Sequence, residues 1–228
     1  PILHGLCTYG MTCKAMVDKL ASGKVPADRH ERALETVERN AQALAQLVDD
    51  LLDVARIMAG KLRLEVGPVD LAAVVEAALE VVRPAADAKE IRLAPVIDPD
   101  VGAVAGDAGR LQQIVWNLLS NAVKFTPKGG RVEVVLGRVG SSVEIAVSDD
   151  GQGIDAALQP RLFDLFDRYP DRSAAHGLGT GLAIVGRLMR LMGGDVAVHS
   201  EGAGQGSTFT LKLPVVADAD HANLASSR

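Results

Sequence analysis

Seven aromatic residues (four Phe, two Tyr, one Trp) and two cysteines are all that the 228-residue chain offers for stacking surfaces or disulfide staples. Cys7 and Cys13 stand six apart, which suits neither a metal knuckle nor a redox pair, and they read as thiols of a reducing, cytoplasmic compartment. No run of 18 or more apolar residues exists, so the sequence predicts no membrane span and no direct membrane contact. A signal-peptide pattern is also missing. The chain opens at Pro1 without a methionine, which we read as an excised fragment, and any anchor belongs to a longer parent. A net charge of −5 gives no support to nucleic acid as a partner. The P-loop string G-x-x-x-x-G-K-[ST] does not occur. Gly177-Leu178-Gly179-Thr180-Gly181 has the wrong spacing for the dinucleotide fingerprint and no strand directly before it.

What is present divides into two rhythms. Leu34, Val37, Ala41, Leu44, Val48, Leu51, Ala55 and Met58 alternate three and four apart, a heptad seam inside a helix expected over 29–60. About thirty helical residues span on the order of 45 Å, too long for a helix packed inside a small globule. Gly60 with Lys61 reads as its stop. Leu3, Leu6, Gly10, Cys13, Val17 and Leu20 repeat the pattern more weakly, and the break at 21–26 makes the pair an antiparallel hairpin. Two helices close no core alone; a second copy would complete a four-helix bundle.

From residue 62 the period shortens. Strands are expected at Leu62–Val66, Ile91–Ile97, Arg131–Leu136, Val143–Ser148, Val196–Ser200 and Thr208–Leu213, with helices at about 70–83, 107–124, 155–162 and 180–192. This is the pattern of an α+β sandwich with an antiparallel-looking sheet covered on one face by helices. Residues 217–228 have no periodicity and read as a frayed tail.

Within the helix at 107–124, Asn117, Asn121 and Lys124 fall on one face, and Leu118, Leu119, Ala122 and Val123 on the other. On a helix taken alone, such a face reads as solvated surface. Three glycine clusters follow: Asp149-Asp150-Gly151-Gln152-Gly153 after a strand, Gly177 to Gly181 before a helix, and Gly202 to Gly206 before the last strand. Glycine admits close approach to a ligand, and free N–H groups at a helix start attract phosphate, but each cluster alone more often just turns the chain.

In this order, the hairpin, N-x-x-x-N-A-x-K-F, D-x-G-x-G-I, the Phe163/Phe166 pair, G-x-G-x-G and G-S-T-F resemble a sensor histidine kinase catalytic core. Residues 1–61 resemble the dimerisation and phosphotransfer hairpin. Residues 62–216 resemble the GHKL (Bergerat-type) ATP-binding domain shared with gyrase, MutL and heat-shock chaperone ATPases. The resemblance implies ATP and Mg²⁺ as ligands, a homodimer, and a response-regulator receiver domain as partner. It assigns Asn121 to the metal, and Asn117, Lys124, Asp149, Gly151, Gly153, Phe163, Gly177, Gly179, Gly181 and Thr208 to the nucleotide. Asp149 would accept from the adenine amine, while a plain Asx turn is left to Asp150. Relatives that activate water or a hydroxyl carry a glutamate at the position of Asn117; asparagine takes no proton and would leave ATP intact for transfer to histidine.

The sequence departs from the family in two places. Leu165 occupies the slot of an arginine aimed at the γ-phosphate, with Arg161, Arg168 and Arg172 nearby. The phosphoacceptor string H-[ED]-[LI]-R-[TN]-P becomes His4-Gly5-Leu6-Cys7-Thr8-Tyr9, which retains His4 as acceptor and Thr8 for positioning water. Gly5 and Leu165 also motivate the alternative of an ATP-binding pseudokinase or phosphatase-biased dimeric regulator.

Overall fold

The computed structural model describes residues 2–23, 25–164 and 181–215, and the chain divides after Leu62 into two compact units. The expected tail at 217–228 lies outside the described residues.

The first unit contains α1 (Ile2–Ala21) and α2 (His30–Met58), joined through a 3-10 turn at Ala27–Arg29. The Cys13 thiol donates to the Val37 carbonyl at 3.5 Å, which places the two helices side by side. The predicted stop is built as a Schellman motif. Gly60 takes φ +64°, its N–H bonds the Ile57 carbonyl at 3.1 Å, and the Lys61 N–H bonds the Arg56 carbonyl at 2.9 Å. The heptad seam is not the buried stripe of the hairpin. Leu34 is 58% exposed and Met58 69%, with Val48 and Leu51 also exposed, whereas Ala33, Asp50, Asp53, Val54 and Ile57 are buried. Helix α2 thus has two usable faces, and a single copy covers one of them.

The second unit is an α+β sandwich. It contains β1 (Gly67–Val69), α3 (Leu71–Ala88), β2 (Arg92–Ile97), β3 (Val104–Gly106), α4 (Ala108–Phe125), β4 (Arg131–Val139), β5 (Ser142–Asp149), α5 (Gly181–Leu191), β6 (Asp195–His199) and β7 (Ser207–Pro214). The main sheet has order β2-β4-β5-β7-β6. One sheet face is core: Val132, Val134, Leu136, Val143, Ile145, Val147, Phe209, Leu211 and Leu213 are buried, while their alternating neighbours are not. Against it lie the buried faces of α3 (Val75, Ala78, Leu79, Val82), α4 (Leu111, Ile114, Val115, Leu118, Leu119) and α5 (Ile184, Val185, Leu188, Met189).

Four expectations need correction. Residues 62–66 are not a strand; the short strand is Gly67–Val69, and it pairs antiparallel with Val104–Gly106, a strand too short to show a period. Beta-strands β2 and β4 pair in parallel, so α4 is the crossover of a β-α-β unit. Helix α3 does not stop before Pro84 but runs through it to Ala88. Proline removes one helical bond, yet Val82 and Ala86 beyond Leu79 are fully enclosed, and their burial outweighs the loss. The helix expected at 155–162 is only a 3-10 turn at Gln159–Arg161, because Asp155 accepts from the Ala157 N–H at 2.8 Å and Pro160 follows.

Candidate nucleotide site

The site is built on α4. Asp107 caps its start, accepting from the Arg110 N–H at 3.1 Å with one oxygen and from the Glu65 N–H at 3.0 Å with the other. Along the polar face exposure rises steadily: Asn117 is 7% exposed, Asn121 half-buried, and Lys124 exposed with its ammonium 5.2 Å from the Phe125 ring centroid. The solvated-surface reading therefore fails for Asn117. Its Nδ2 is enclosed and has no hydrogen-bond partner among the described residues. A buried amide left unpaired costs roughly 1–3 kcal/mol, a cost that a polar partner at this face would relieve.

The Asp149–Gly153 loop is seated on the C-terminal end of that helix. The Gln152 N–H points to the Phe125 carbonyl at 3.4 Å, and a Cβ on Gly151 would come within 2.6 Å of the same oxygen. Only glycine fits there. Gly153 has φ +69°, and a side chain on it would collide with the Gly202 carbonyl at 1.9 Å; Gly206, at φ +68°, would collide with the Asp149 carbonyl at 1.9 Å. The two glycine loops are zipped by Gly204 N–H to Gln152 carbonyl (2.7 Å) and Gly206 N–H to Gly151 carbonyl (3.1 Å). Ser200, buried, clamps them from beneath: its hydroxyl donates to the Gly206 carbonyl at 2.6 Å and accepts from the Ile154 N–H at 2.9 Å. Gln159 in turn donates to the Ser200 carbonyl at 2.7 Å.

Asp149 ends β5 opposite Ser207 on β7. Its Oδ1 accepts from the Gly151 N–H at 2.9 Å, and its Oδ2 accepts from the Ser207 hydroxyl at 2.6 Å. The Asx turn expected at Asp150 thus belongs to Asp149, while Asp150 accepts from the Arg131 N–H at 2.8 Å and ties the loop to β4. Both Asp149 oxygens keep spare lone pairs for a donor.

The other candidates separate. Thr208 shares a 2.9 Å hydrogen bond with Ser148 on the neighbouring strand. Phe163 packs edge-to-face on Phe209 at 6.3 Å between ring centroids and covers Gly186 of α5. Gly181 opens α5, whereas Phe166, Gly177, Gly179, Leu165, Arg168 and Arg172 lie outside the described residues. His4 and Thr8 both lie on α1, one turn apart; Thr8 is exposed, and the His4 side chain lies outside the described part. Sequence reasoning missed Ser207 and Ser200. Ser207 could have been found by setting β5 and β7 in antiparallel register, which puts it opposite Asp149.

Residues 106–217 match the profile of the histidine kinase-, DNA gyrase B-, and HSP90-like ATPases. A solved mycobacterial sensor histidine kinase, MprB, is 32% identical with TM-score 0.58 over 65% of this chain and 97% of that one. The chain belongs to the histidine kinases of this ATPase family. The histidine kinase core also aligns with full-length ShkA, solved in complex with AMPPNP, at 32% identity and TM-score 0.68, over 85% of this chain and 40% of that one. Hybrid signal transduction histidine kinase D of Dictyostelium discoideum is 34% identical over 86% of this chain. The chain spans only 15% of that relative's length. The GHKL fold is thereby established for the second unit. Among the described residues, no helix is long and apolar enough to cross a membrane.

Proposed function

We propose that this histidine kinase core binds Mg·ATP between the polar face of α4 and the paired glycine loops, moves the γ-phosphoryl group to His4, and passes it to an aspartate of a response regulator. The observation that carries the reading is the buried amide of Asn117, whose Nδ2 has no partner among the described residues, one turn below Asn121 and two below Lys124, on the helix that seats the Asp149 loop. Asp149, braced by Ser207 and the Gly151 N–H, accepts from the adenine amine. Gly151 and Gly153 let the ring approach backbone. Lys124 offers a compact cation to the phosphates.

The donor set fits Mg²⁺. Asn121 offers a neutral amide oxygen on the half-buried polar face of α4, and Mg²⁺ accepts one protein oxygen completed by phosphate and water. Asn121 would hold it, and the ion would supply charge neutralisation at the phosphates. The absence of a carboxylate at 117 leaves water near the phosphates unactivated, so ATP persists until a nucleophile of its own strength arrives. His4 on α1 is that nucleophile, with Thr8 one turn on positioning a water that hydrolyses the regulator's phosphoaspartate to aspartate and phosphate. The proposed division is 1–61 for dimerisation and phosphotransfer and 62–216 for nucleotide binding. The exposed seam of α2, with Met11 and Val17 of α1, supports a homodimer through a four-helix bundle.

Incubation with γ-labelled ATP tests the reading. Acid-labile, base-stable label on the parent that vanishes in His4→Gln upholds it. Tight ATP binding without label would instead make the chain the ATP-binding pseudokinase or phosphatase-biased regulator that Gly5 and Leu165 suggest.

A further inference from the structure

Helix α4 ends without the glycine that usually absorbs the last carbonyls: Thr126 at its C-cap is extended, and Pro127 follows. The orphan carbonyls are satisfied from elsewhere. Lys89, which ends α3, reaches across and donates to the carbonyls of Val123 (2.7 Å), Lys124 (3.0 Å) and Thr126 (2.6 Å). An ammonium has three protons, so all of its donors are spent on this one turn. Its positive charge also sits at the negative end of the α4 dipole.

The carbonyl that Lys89 omits is the informative one. Of the four consecutive residues 123–126, only Phe125 gives its carbonyl to the Asp149–Gly153 loop, through the Gln152 N–H, and Gly151 is pressed against the same oxygen. Three carbonyls turned toward Lys89 leave the fourth turned toward the loop. Lys89 is itself held: its own carbonyl accepts from the Gly129 N–H at 2.9 Å, and Glu90 after it adopts φ +54°, closing a Schellman motif through Ile91 N–H to Ala86 carbonyl at 2.9 Å. A glutamate in that left-handed position is strained by about 1 kcal/mol, so the surrounding structure enforces the joint.

We propose that Lys89 is a positioning residue for nucleotide binding: it fixes the last turn of α4 so that Lys124 on one side and the Asp149–Gly153 loop on the other are held in register. It touches no ligand. The inference rests on the nucleotide reading above, deepening it by naming what aligns the phosphate end with the adenine end.

The test uses the full chain with Lys89→Met, which keeps the apolar stem, and Lys89→Arg, which keeps charge and donors. Two readouts are taken: amide exchange of Gln152 and Gly204 in nucleotide-free protein, and calorimetric affinity for Mg·ATP. In Lys89→Met, exchange at Gln152 and Gly204 accelerates about tenfold and Mg·ATP affinity falls about tenfold, while amides of the β4–β5 pair stay protected, as expected for loss of charge-assisted hydrogen bonds. Lys89→Arg recovers both to within about threefold. Unchanged Gln152 exchange in Lys89→Met, or an arginine variant as impaired as the methionine one, overturns the proposal, and general unfolding is read from the β4–β5 amides. Should the parent bind no Mg·ATP while Lys89→Met still frees Gln152, the nucleotide reading fails and the alignment of the loop by Lys89 stands.

Discussion

The Ser207 hydroxyl donates to Asp149 Oδ2 at 2.6 Å, joining the first residue of β7 to the last residue of β5. With Oδ1 accepting from the Gly151 N–H as well, both carboxylate oxygens are held and their remaining lone pairs point in defined directions, so the bond is a geometric constraint on whatever Asp149 receives.

Ser207→Ala therefore weakens Mg·ATP binding about tenfold, the value of one hydrogen bond to a charged group, and leaves the urea midpoint nearly unchanged because the position is half-buried. Titration calorimetry measures the first and urea unfolding the second. Equal affinity in the variant would remove Ser207 from the site.

Asn117→Leu separates stability from binding. The leucine replaces an amide whose Nδ2 has no partner among the described residues, so the nucleotide-free protein gains roughly 1 kcal/mol or holds its stability, while Mg·ATP affinity is lost. A strongly destabilised variant would mean that the amide is satisfied in solution by something other than nucleotide.

Asn121→Ala abolishes Mg·ATP binding and leaves the far-ultraviolet circular dichroism spectrum intact. Retained affinity in that variant would contradict the metal assignment.

Gly153→Ala and Gly206→Ala each cost more than about 2 kcal/mol, since both positions combine a left-handed backbone with a carbonyl where the new methyl would go. Gly129, also left-handed but with open space around it, should lose only about 1 kcal/mol on the same change. Urea unfolding of the three variants compares them directly.

Leu51→Glu and Val48→Glu, placed in the exposed seam of α2, convert the proposed dimer to a monomer while the hairpin stays helical. Sedimentation equilibrium reads the mass; an unchanged dimer would move the interface off this seam.

Strong periods are legible in the sequence. Helix α4 and the strands β4, β5 and β7 lie where three-four spacing or alternation put them, because burial of one face writes itself into every third or second residue; α2 also lies where its spacing put it, although that seam is exposed in a single copy. Features governed by single contacts were not. Val104–Gly106 is a strand because Gly67–Val69 lies beside it, and three residues carry no period. Pro84 looked like an end, and only the enclosure of Val82 and Ala86 explains why the helix passes through it. In the candidate site, Asn117, Asn121, Asp149 and the glycines are singled out by residue type and order. Ser207 and Lys89 did not, since a serine at a strand start and a lysine at a helix end are ordinary until register and reach are known.

Helix α4 is also the link between the parallel strands β2 and β4. The chain segments on either side of it are sheet neighbours, β2 at the sheet edge and β4 inside it, so a ligand held along α4 rests on the same packing that closes the sheet. Occupancy and folding are then a single thermodynamic account: at a concentration a hundredfold above the dissociation constant, bound ligand adds about 2.7 kcal/mol to the free energy of melting. In a cell rich in nucleotide, such a domain would spend its life in a sturdier form than the one purified without it.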